Sequence, residues 1–254
     1  MDNKPKILVL DIETSLMQVY VWDIKDQYIN PGQIKKDWHL MAWAAKWLDE
    51  PASKAIYRDQ RNAKSIENDK ALLIDLWKLL DEADIVITQN GKNFDGPKLN
   101  ARFIMHGMKP PSPYRHLDTY QIVKSVAKFT SNSLDYLTNH LNVKYKKLSH
   151  AKFPGTSLWL ECEKGNLKAW EEMKTYNIHD VLSTEELYNK IKAWAPMNAP
   201  KPFLSNCRVC GHATQRRGFT LDHKKQRVVC TSPECGSWDT VSLPKVKKLK
   251  KEAA

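Results

Sequence analysis

The chain has 254 residues, of which 42% are hydrophobic, so it can bury a core as one large domain with a small appendage. It contains no uninterrupted apolar run of about 18 residues, so we expect no membrane span and no membrane partner. The apolar run before Asp11 is too short for a signal peptide. These features predict a protein that is not secreted and that resides in the cytoplasm or another intracellular compartment.

The formal net charge of +11 is unevenly distributed along the chain. Residues 201–254 contain 12 Lys/Arg and 4 Asp/Glu, whereas residues 1–200 contain 28 Lys/Arg and 25 Asp/Glu. Most of the excess positive charge therefore lies in the C-terminal fifth. Such a segment favours a polyanionic partner, with nucleic acid as the first candidate, although solubility alone is an alternative explanation.

The hydrophobic periodicity predicts strands first and then alternating strands and helices. The predicted strands are residues 6–13, 18–24, 40–48, 54–58, 84–90 and the start of 115–128. The predicted helices are residues 69–83, 94–107 beginning near Pro97, the end of 115–128, 131–143 with a serine cap, and 165–194 with a break near Asn177. This order predicts an α/β fold with a mixed β-sheet flanked by helices.

Three prolines between residues 193 and 203 end the helical pattern and mark a linker. We therefore divide the chain into a domain at 1–192, the linker at 193–203, a cysteine-containing module at 204–243 and a basic tail at 244–254.

Acidic residues follow the predicted strands and one late helix. Asp11 and Glu13 are two residues apart on a strand, so both side chains point to the same face. Two carboxylates on one face repel each other unless a cation lies between them, and hard oxygen ligands suit Mg²⁺ or Mn²⁺. Asp95 follows a later strand end. Asp180 shares a helical face with Tyr176, four residues earlier.

Taken in order, these three pieces resemble a known family. Asp-x-Glu-Thr on the first strand, Asn-x₃-Phe-Asp after a later strand and Tyr-x₃-Asp on a late helix are similar to the exonuclease motifs of the DEDD superfamily. That group includes proofreading domains of DNA polymerases and RNase D-like enzymes. Tyr176 stands at the position of the tyrosine subclass. The histidine subclass would need His at position 175, which is Thr175, and we expect the adjacent His179 to face elsewhere.

The resemblance, over roughly residues 5–192, implies an RNase H-like fold and a metal-dependent 3′–5′ exonuclease. Asp11, Glu13 and Asp180 would hold one Mg²⁺ or Mn²⁺ that activates the attacking water. Asp11, with Asp95 acting through water, would hold a second ion that stabilises the leaving oxygen. Tyr176 would orient the water by hydrogen bonding, because its reference pKa of about 10 leaves it protonated at neutral pH.

Four cysteines cluster in the C-terminal module as two pairs, Cys207 with Cys210 and Cys230 with Cys235. Clustered cysteines in a chain that is not exported favour a metal over disulfides. Two pairs on two turns can close a tetrahedral Cys₄ site for structural Zn²⁺, and the pattern resembles a zinc ribbon. Because the second pair has four intervening residues, His212 or His223 remains an alternative ligand.

Basic residues surround the cysteine pairs and are candidate phosphate contacts. They are Arg208, Arg216, Arg217, Lys224, Lys225 and Arg227. Asn90 is a candidate to contact nucleic acid or to fix its own loop. We expect a nucleic-acid partner that offers single strands or 3′ ends, with DNA favoured, and a separate polymerase or replication protein is a further candidate partner. The alternatives are an inactive nuclease fold that only binds nucleic acid, and a structure-specific nuclease.

Overall fold

The computed structural model describes residues 5–25, 28–148, 150, 152–195, 206–207, 209–220 and 225–242. The chain divides into two compact units, one spanning Pro5–Ile191 and the other containing the residues from Lys192 onward. The part of the predicted linker after residue 195 and the predicted tail at 244–254 lie outside the described residues.

The elements are as follows. The strands are β1 (Ile7–Thr14), β2 (Gln18–Val19), β3 (Ile34–Lys36), β4 (Leu40–Trp47), β5 (Ile56–Asp59), β6 (Ile85–Thr88), β7 (Arg115–Asp118), β8 (Thr214–Phe219), β9 (Lys225–Cys230) and β10 (Trp238–Ser242). The α-helices are α1 (Lys70–Glu82), α2 (Asp95–Met105), α3 (Thr119–Val126), α4 (Leu134–His140), α5 (Ser157–Glu163) and α6 (Leu167–Ile191).

The first unit is built on a five-stranded mixed sheet in the order β5-β4-β1-β6-β7. β4 runs antiparallel to β1 and to β5, whereas β6 is parallel to both β1 and β7. The predicted mixed α/β sheet is therefore confirmed. β1 lies at the centre of the sheet, and its residues from Ile7 to Leu10 are all buried.

Helices cover both faces of this sheet, and strand parity decides which side chains each helix meets. Leu8, Leu10 and Ile12 point to one face, where they share a core with the leucines of α1 and with Leu99 and Phe103 of α2. The other face carries Asp11 and Glu13, whose cross-strand neighbours on β4 are Ala44 and Ala42. α5 and α6 pack on this second face, in a core that includes Ala42, Leu158, Trp170 and Met173.

Three predicted elements differ from the structure. The strand expected at 18–24 is reduced to Gln18–Val19, which pairs with β3 in a separate two-stranded sheet. α2 begins at Asp95 and not near Pro97, because proline is tolerated in a first helical turn. α6 continues through Asn177 without a break, since the Asn177 side chain bonds to Asp11 and so does not compete for its own helix backbone.

A buried ion pair ties the first helices to the sheet. Asp69, which is fully buried, accepts two hydrogen bonds of 2.7 Å from the Arg102 guanidinium of α2. The same carboxylate accepts from the backbone amide of Leu40 at the start of β4, 2.8 Å away, and lies 2.7 Å from His106 Nε2. One side chain thereby fixes α1, α2 and β4 relative to each other.

Replacing Arg102 with Met should destabilise the protein by about 3 to 5 kcal/mol, because it leaves the Asp69 carboxylate buried without its cation. The urea unfolding midpoint measures this change. Arg58→Met is the matched control, since Arg58 pairs with Asp75 only at 3.8 Å on the exposed surface, and we expect a change below about 1 kcal/mol. Equal shifts for the two variants would contradict the assignment.

Candidate active site

Three carboxylates from two elements meet on the α6 face of the sheet. Asp11 and Glu13 come from β1, and Asp180 comes from α6. Each residue offers one oxygen, and these oxygens all lie within 4.8 Å of one another. Glu13 and Asp180 are buried and Asp11 is half-buried. The structure therefore brings together three of the four predicted acidic residues in one cluster.

A side-chain donor binds each of the three carboxylates. The Asn177 amide donates to Asp11 Oδ2 at 2.6 Å, and the Trp159 indole N–H donates to Glu13 Oε2 at 2.9 Å. The Lys147 ammonium donates to Asp180 Oδ2 at 2.6 Å. These hydrogen bonds help to fix the orientation of each carboxylate, and each of them involves only one of its two oxygens.

The electrostatics of the cluster favour a bound cation. Burial raises the pKa of Glu13 to about 8, although the hydrogen bond from Trp159 opposes this shift. Burial and the neighbouring Asp180 and Glu13 raise the pKa of Asp11 well above its usual range. Burial also raises the pKa of Asp180, against the opposing effect of Lys147. The cluster therefore resists ionisation by itself, and a divalent cation would reverse this balance.

Asp180 provides a direct test of whether the residues fit a metal. Its second oxygen, Oδ1, is buried and has no hydrogen-bond partner in the part of the chain that the structure describes. A buried carboxylate oxygen without a partner is costly, whereas coordination to a cation would satisfy it. The hard oxygen donors suit Mg²⁺ or Mn²⁺. The residues present therefore fit a divalent cation.

Asp95 lies beside this cluster and not within it. Its Oδ1 accepts from the backbone amide of Ile12, 3.2 Å away, between the two acidic residues of β1. Burial raises the pKa of Asp95 to about 7, and the nearby Asp118 adds to this shift. The fourth predicted carboxylate is thus anchored to the strand that carries the first two, but it is not a member of the cluster.

The loop before Asp95 explains how the sequence places this residue. Asn90 adopts a left-handed backbone with φ of 62°. A Cβ on Gly91 would lie 2.2 Å from Thr88 Oγ1 and 2.9 Å from Asp95 Oδ2, so only glycine fits there. The buried Asp118 accepts from the amides of Asn90 and Lys92, at 2.9 and 3.0 Å, and fixes the turn. Asp118 therefore supports the site from outside the cluster.

Tyr176 lies one helical turn before Asp180 and is almost fully buried. Its ring contacts those of His150 and Trp159, and the Lys147 ammonium lies over it, 4.8 Å from its centre. Burial and the charge of Asp180 raise the pKa of Tyr176, so the phenol stays protonated at neutral pH and can donate a hydrogen bond. His179 contacts Tyr145, with ring centres 5.6 Å apart, and is not a member of the acidic cluster.

The second unit contains a cluster of four thiols. The Sγ atoms of Cys207, Cys210, Cys230 and Cys235 all lie within 4.8 Å of one another. Cys230 ends β9, and the others come from the segments before β8 and between β9 and β10, at the same end of the small three-stranded sheet. His212 is exposed and does not belong to this group, and His223 lies outside the described residues. Four convergent thiols are compatible with a tetrahedral zinc site.

The candidate nucleic-acid contacts fall into three groups. Arg217, Lys225 and Arg227 are exposed on β8 and β9. Arg208 and Lys224 lie outside the described residues, as does the side chain of Arg216. Asn90 is exposed, and its Oδ1 accepts from the Asn93 amide at 3.1 Å, so it makes a bond within its own loop.

Sequence reasoning did not identify Lys147, Trp159 or Asn177 as members of the site. Asn177 is three residues before Asp180, so the helical face that joins Tyr176 to Asp180 could have revealed it. Lys147 and Trp159 have no fixed spacing from any acidic motif, and only the folded chain brings them to the carboxylates.

The comparisons with known proteins agree with this architecture. Residues 47–192 match the RNase H superfamily, and since this is more than half of the chain, the protein belongs to that superfamily. A DNA polymerase from Methanocaldococcus jannaschii is 25% identical over 218 residues, which is 75% of this chain and 13% of the polymerase.

A solved structure is also similar. The family B DNA polymerase from the hyperthermophilic archaeon Pyrobaculum calidifontis matches with a TM-score of 0.50 and 17% identity, over 73% of this chain and 24% of the polymerase. The structural likeness shows a shared fold. The chain spans less than a quarter of either polymerase. Among the described residues, no helix is both long and apolar enough to cross a membrane.

The raised pKa values make the stability of the metal-free protein pH-dependent. Between about pH 4.5 and 8 the folded protein holds a proton on Glu13 that the unfolded chain has released. The free energy of unfolding contributed by Glu13 therefore falls as the pH rises, by up to about 1.4 kcal/mol per pH unit. Urea unfolding at several pH values measures this slope.

Glu13→Gln is the control, because it removes this titrating group and should make the slope shallower, while Asp11, Asp95 and Asp180, whose pKa values are also raised, continue to contribute. Added Mg²⁺ should restore the stability of the wild type most strongly at the high end of this range. An identical slope in the wild type and in Glu13→Gln would contradict the assignment.

Replacing Trp159 with Phe should weaken Mn²⁺ binding about 10-fold to 100-fold, as expected when a donor to a ligating carboxylate is lost. The ring packing is kept, but Glu13 loses the hydrogen bond that holds its pKa down. Isothermal titration calorimetry measures the affinity. Trp194→Phe, which changes an exposed indole, should bind Mn²⁺ like the wild type, and equal affinities for both variants would refute the role of Trp159.

Proposed function

We propose that this protein is a metal-dependent 3′–5′ exonuclease that hydrolyses phosphodiester bonds of nucleic acid, with DNA as the favoured substrate. The observation that carries the proposal is the convergence of Asp11, Glu13 and Asp180 to within 4.8 Å on a buried face of an RNase H-like sheet. The order of the motifs and the similarity to two DNA polymerases support the direction of cleavage and the preference for DNA.

The acidic residues would hold two divalent cations. Asp11, Glu13 and Asp180 would bind one ion, and Asp11 with Asp95 the other. When bound, such ions activate a water molecule and stabilise the leaving oxygen of a phosphodiester. Asn177 and Trp159 contribute by fixing the orientation of Asp11 and Glu13. These two donors are neutral, so they leave the negative charge that attracts the ions intact.

Tyr176 and Lys147 would complete the site. The phenol of Tyr176 stays protonated and so orients the attacking water as a hydrogen-bond donor or acceptor, without serving as a general base. Burial alone would lower the pKa of Lys147, but Asp180 and Tyr176 raise it above the ordinary value, so this lysine stays cationic. A cation beside Asp180 offsets part of the cluster charge and is placed to meet an anionic substrate.

The second unit would serve as a structural zinc module. Cys207, Cys210, Cys230 and Cys235 would hold Zn²⁺ as a closed Cys₄ site, without an open position for chemistry. A module of this size has little apolar core, so the metal would supply much of its folding energy. Its exposed cations Arg217, Lys225 and Arg227 would contact the nucleic-acid backbone. A polymerase or another replication protein is a candidate partner of the whole chain.

Digestion of single-stranded oligonucleotides with Mg²⁺ or Mn²⁺ tests this function. A 5′-label should yield a ladder of shortened strands, whereas a 3′-label should be released at once as a mononucleotide. Asp11→Asn should lower the rate by at least about 100-fold, because it removes a shared ligand. The control Glu50→Gln changes an exposed carboxylate and should leave the rate unchanged.

The substrate panel also separates the alternatives. Cleavage of a closed circular strand would contradict the exonuclease assignment and indicate an endonuclease of the same fold. Tight binding without metal-dependent turnover would instead indicate a protein that only binds nucleic acid. Equal rates for the wild type and Asp11→Asn would place the chemistry elsewhere.

A further inference from the structure

The small sheet of the second unit has two chemically different faces. Its strand order is β10-β9-β8, and all neighbours are antiparallel. Val228 and Cys230 of β9 are buried on the face toward the thiols. Lys225, Arg227 and Val229 alternate with them and point to the opposite face. We call this opposite face the outer face.

An exposed tryptophan lies on the outer face beside these cations. Trp238 of β10 is paired with Val229, so both side chains project from the same side of the sheet. Trp238 is 47% exposed, so its indole is accessible from solvent. Thr240, two residues further on, is paired with Arg227. The indole therefore projects from the same face of the sheet as the charged residues of β9.

A bulge in β8 adds a third cation. The register shifts between Arg216 and Phe219, so Arg217 and Gly218 together oppose Arg227. Gly218 has φ of 77°, and a Cβ there would lie 3.5 Å from Arg227 Nη2. The Arg227 guanidinium therefore lies close to Gly218, along the surface of the sheet.

The described part of the outer face is positively charged. Among the residues that the structure describes, no ion pair involves Arg217, Lys225 or Arg227, and no acidic residue lies on this face. Asp239 alternates with Trp238 and points to the thiol side. Three cations without an acidic neighbour attract a polyanion. The exposed indole on the same face offers a stacking surface for a base, which contacts to the phosphate backbone alone would not require.

We infer that the outer face, formed by Arg217, Lys225, Arg227 and Trp238, binds single-stranded nucleic acid, with a base stacked on Trp238 and the backbone held by the three cations. The bases of a duplex are stacked on each other and cannot reach the indole, whereas unpaired bases can. The inference rests on the proposed function only in taking nucleic acid as the partner.

The test is a binding measurement in the full chain carrying Asp11→Asn, so that no turnover interferes. Fluorescence anisotropy follows a labelled oligothymidylate of about 16 nucleotides, and a duplex of the same length is measured in parallel. Trp238→Ala should weaken single-strand binding about 5-fold to 150-fold, the range for loss of one base stack, and leave duplex binding unchanged. Trp238→Phe should retain most of the affinity if stacking is the contact.

The matched controls separate stacking from packing and from general charge. Trp194→Ala removes another exposed indole of the same unit and should have no effect. The double variant Lys225→Ala and Arg227→Ala should reduce the salt dependence of single-strand binding by about 1.4 in logarithmic slope, whereas Trp238→Ala should not change it. Lys64→Ala, an exposed lysine of the first unit, should leave the slope unchanged.

Two results would overturn the inference. One is equal single-strand affinity in Trp238→Ala and Trp194→Ala. The other is an equal loss of single-strand and duplex binding in Trp238→Ala that Trp238→Phe fails to restore, since that pattern indicates a structural role. Binding and hydrolysis are measured separately, so failure here leaves the exonuclease test intact, and failure of the exonuclease test leaves this one intact.

Discussion

The mutual repulsion of three closely spaced carboxylates is the constraint around which the first unit is organised. Asp11, Glu13 and Asp180 are held close together in a poorly hydrated place, where burial alone raises the pKa of each. Such a cluster is tolerated only if the fold is rigid enough to hold it and if a positive charge is available. The donors Asn177, Trp159 and Lys147 supply part of this compensation, and a cation would supply the rest.

The sheet and its longest helix provide the rigidity. Asp11 and Glu13 project from a central strand whose opposite face is filled by leucines of the α1 core. The alanines at positions 42 and 44 on β4 leave room above the strand for the carboxylates and their ligands. α6 crosses the same face and is tied to the sheet by the buried pair of Lys46 with Glu185, 2.8 Å apart. This contact helps to fix the position of Asp180 relative to β1.

The second unit combines a cluster of thiols with an exposed, positively charged face. Its four thiols converge at one end of the small sheet. The cations are placed on the outer face, together with the exposed indole of Trp238. The acidic cluster and these cations therefore belong to different units of the chain.

The sequence by itself determined the carboxylates, the thiols and the class of fold. Strand parity placed Asp11 and Glu13 on one face, helical spacing joined Tyr176 to Asp180, and the spacing of the cysteine pairs indicated that their thiols meet, because these relations are local and follow from fixed backbone periods. Only the tertiary structure decided that Trp159 bonds to Glu13, that Lys147 bonds to Asp180 and that Asp95 is anchored to the amide of Ile12. The tertiary structure also shortened the strand expected at 18–24 to Gln18–Val19, which pairs with β3 and not with the main sheet, and it placed Trp238 on the same face as Arg227. Such contacts join residues tens of positions apart, and no periodicity of the chain encodes them, since they arise only when packing fixes the elements against each other.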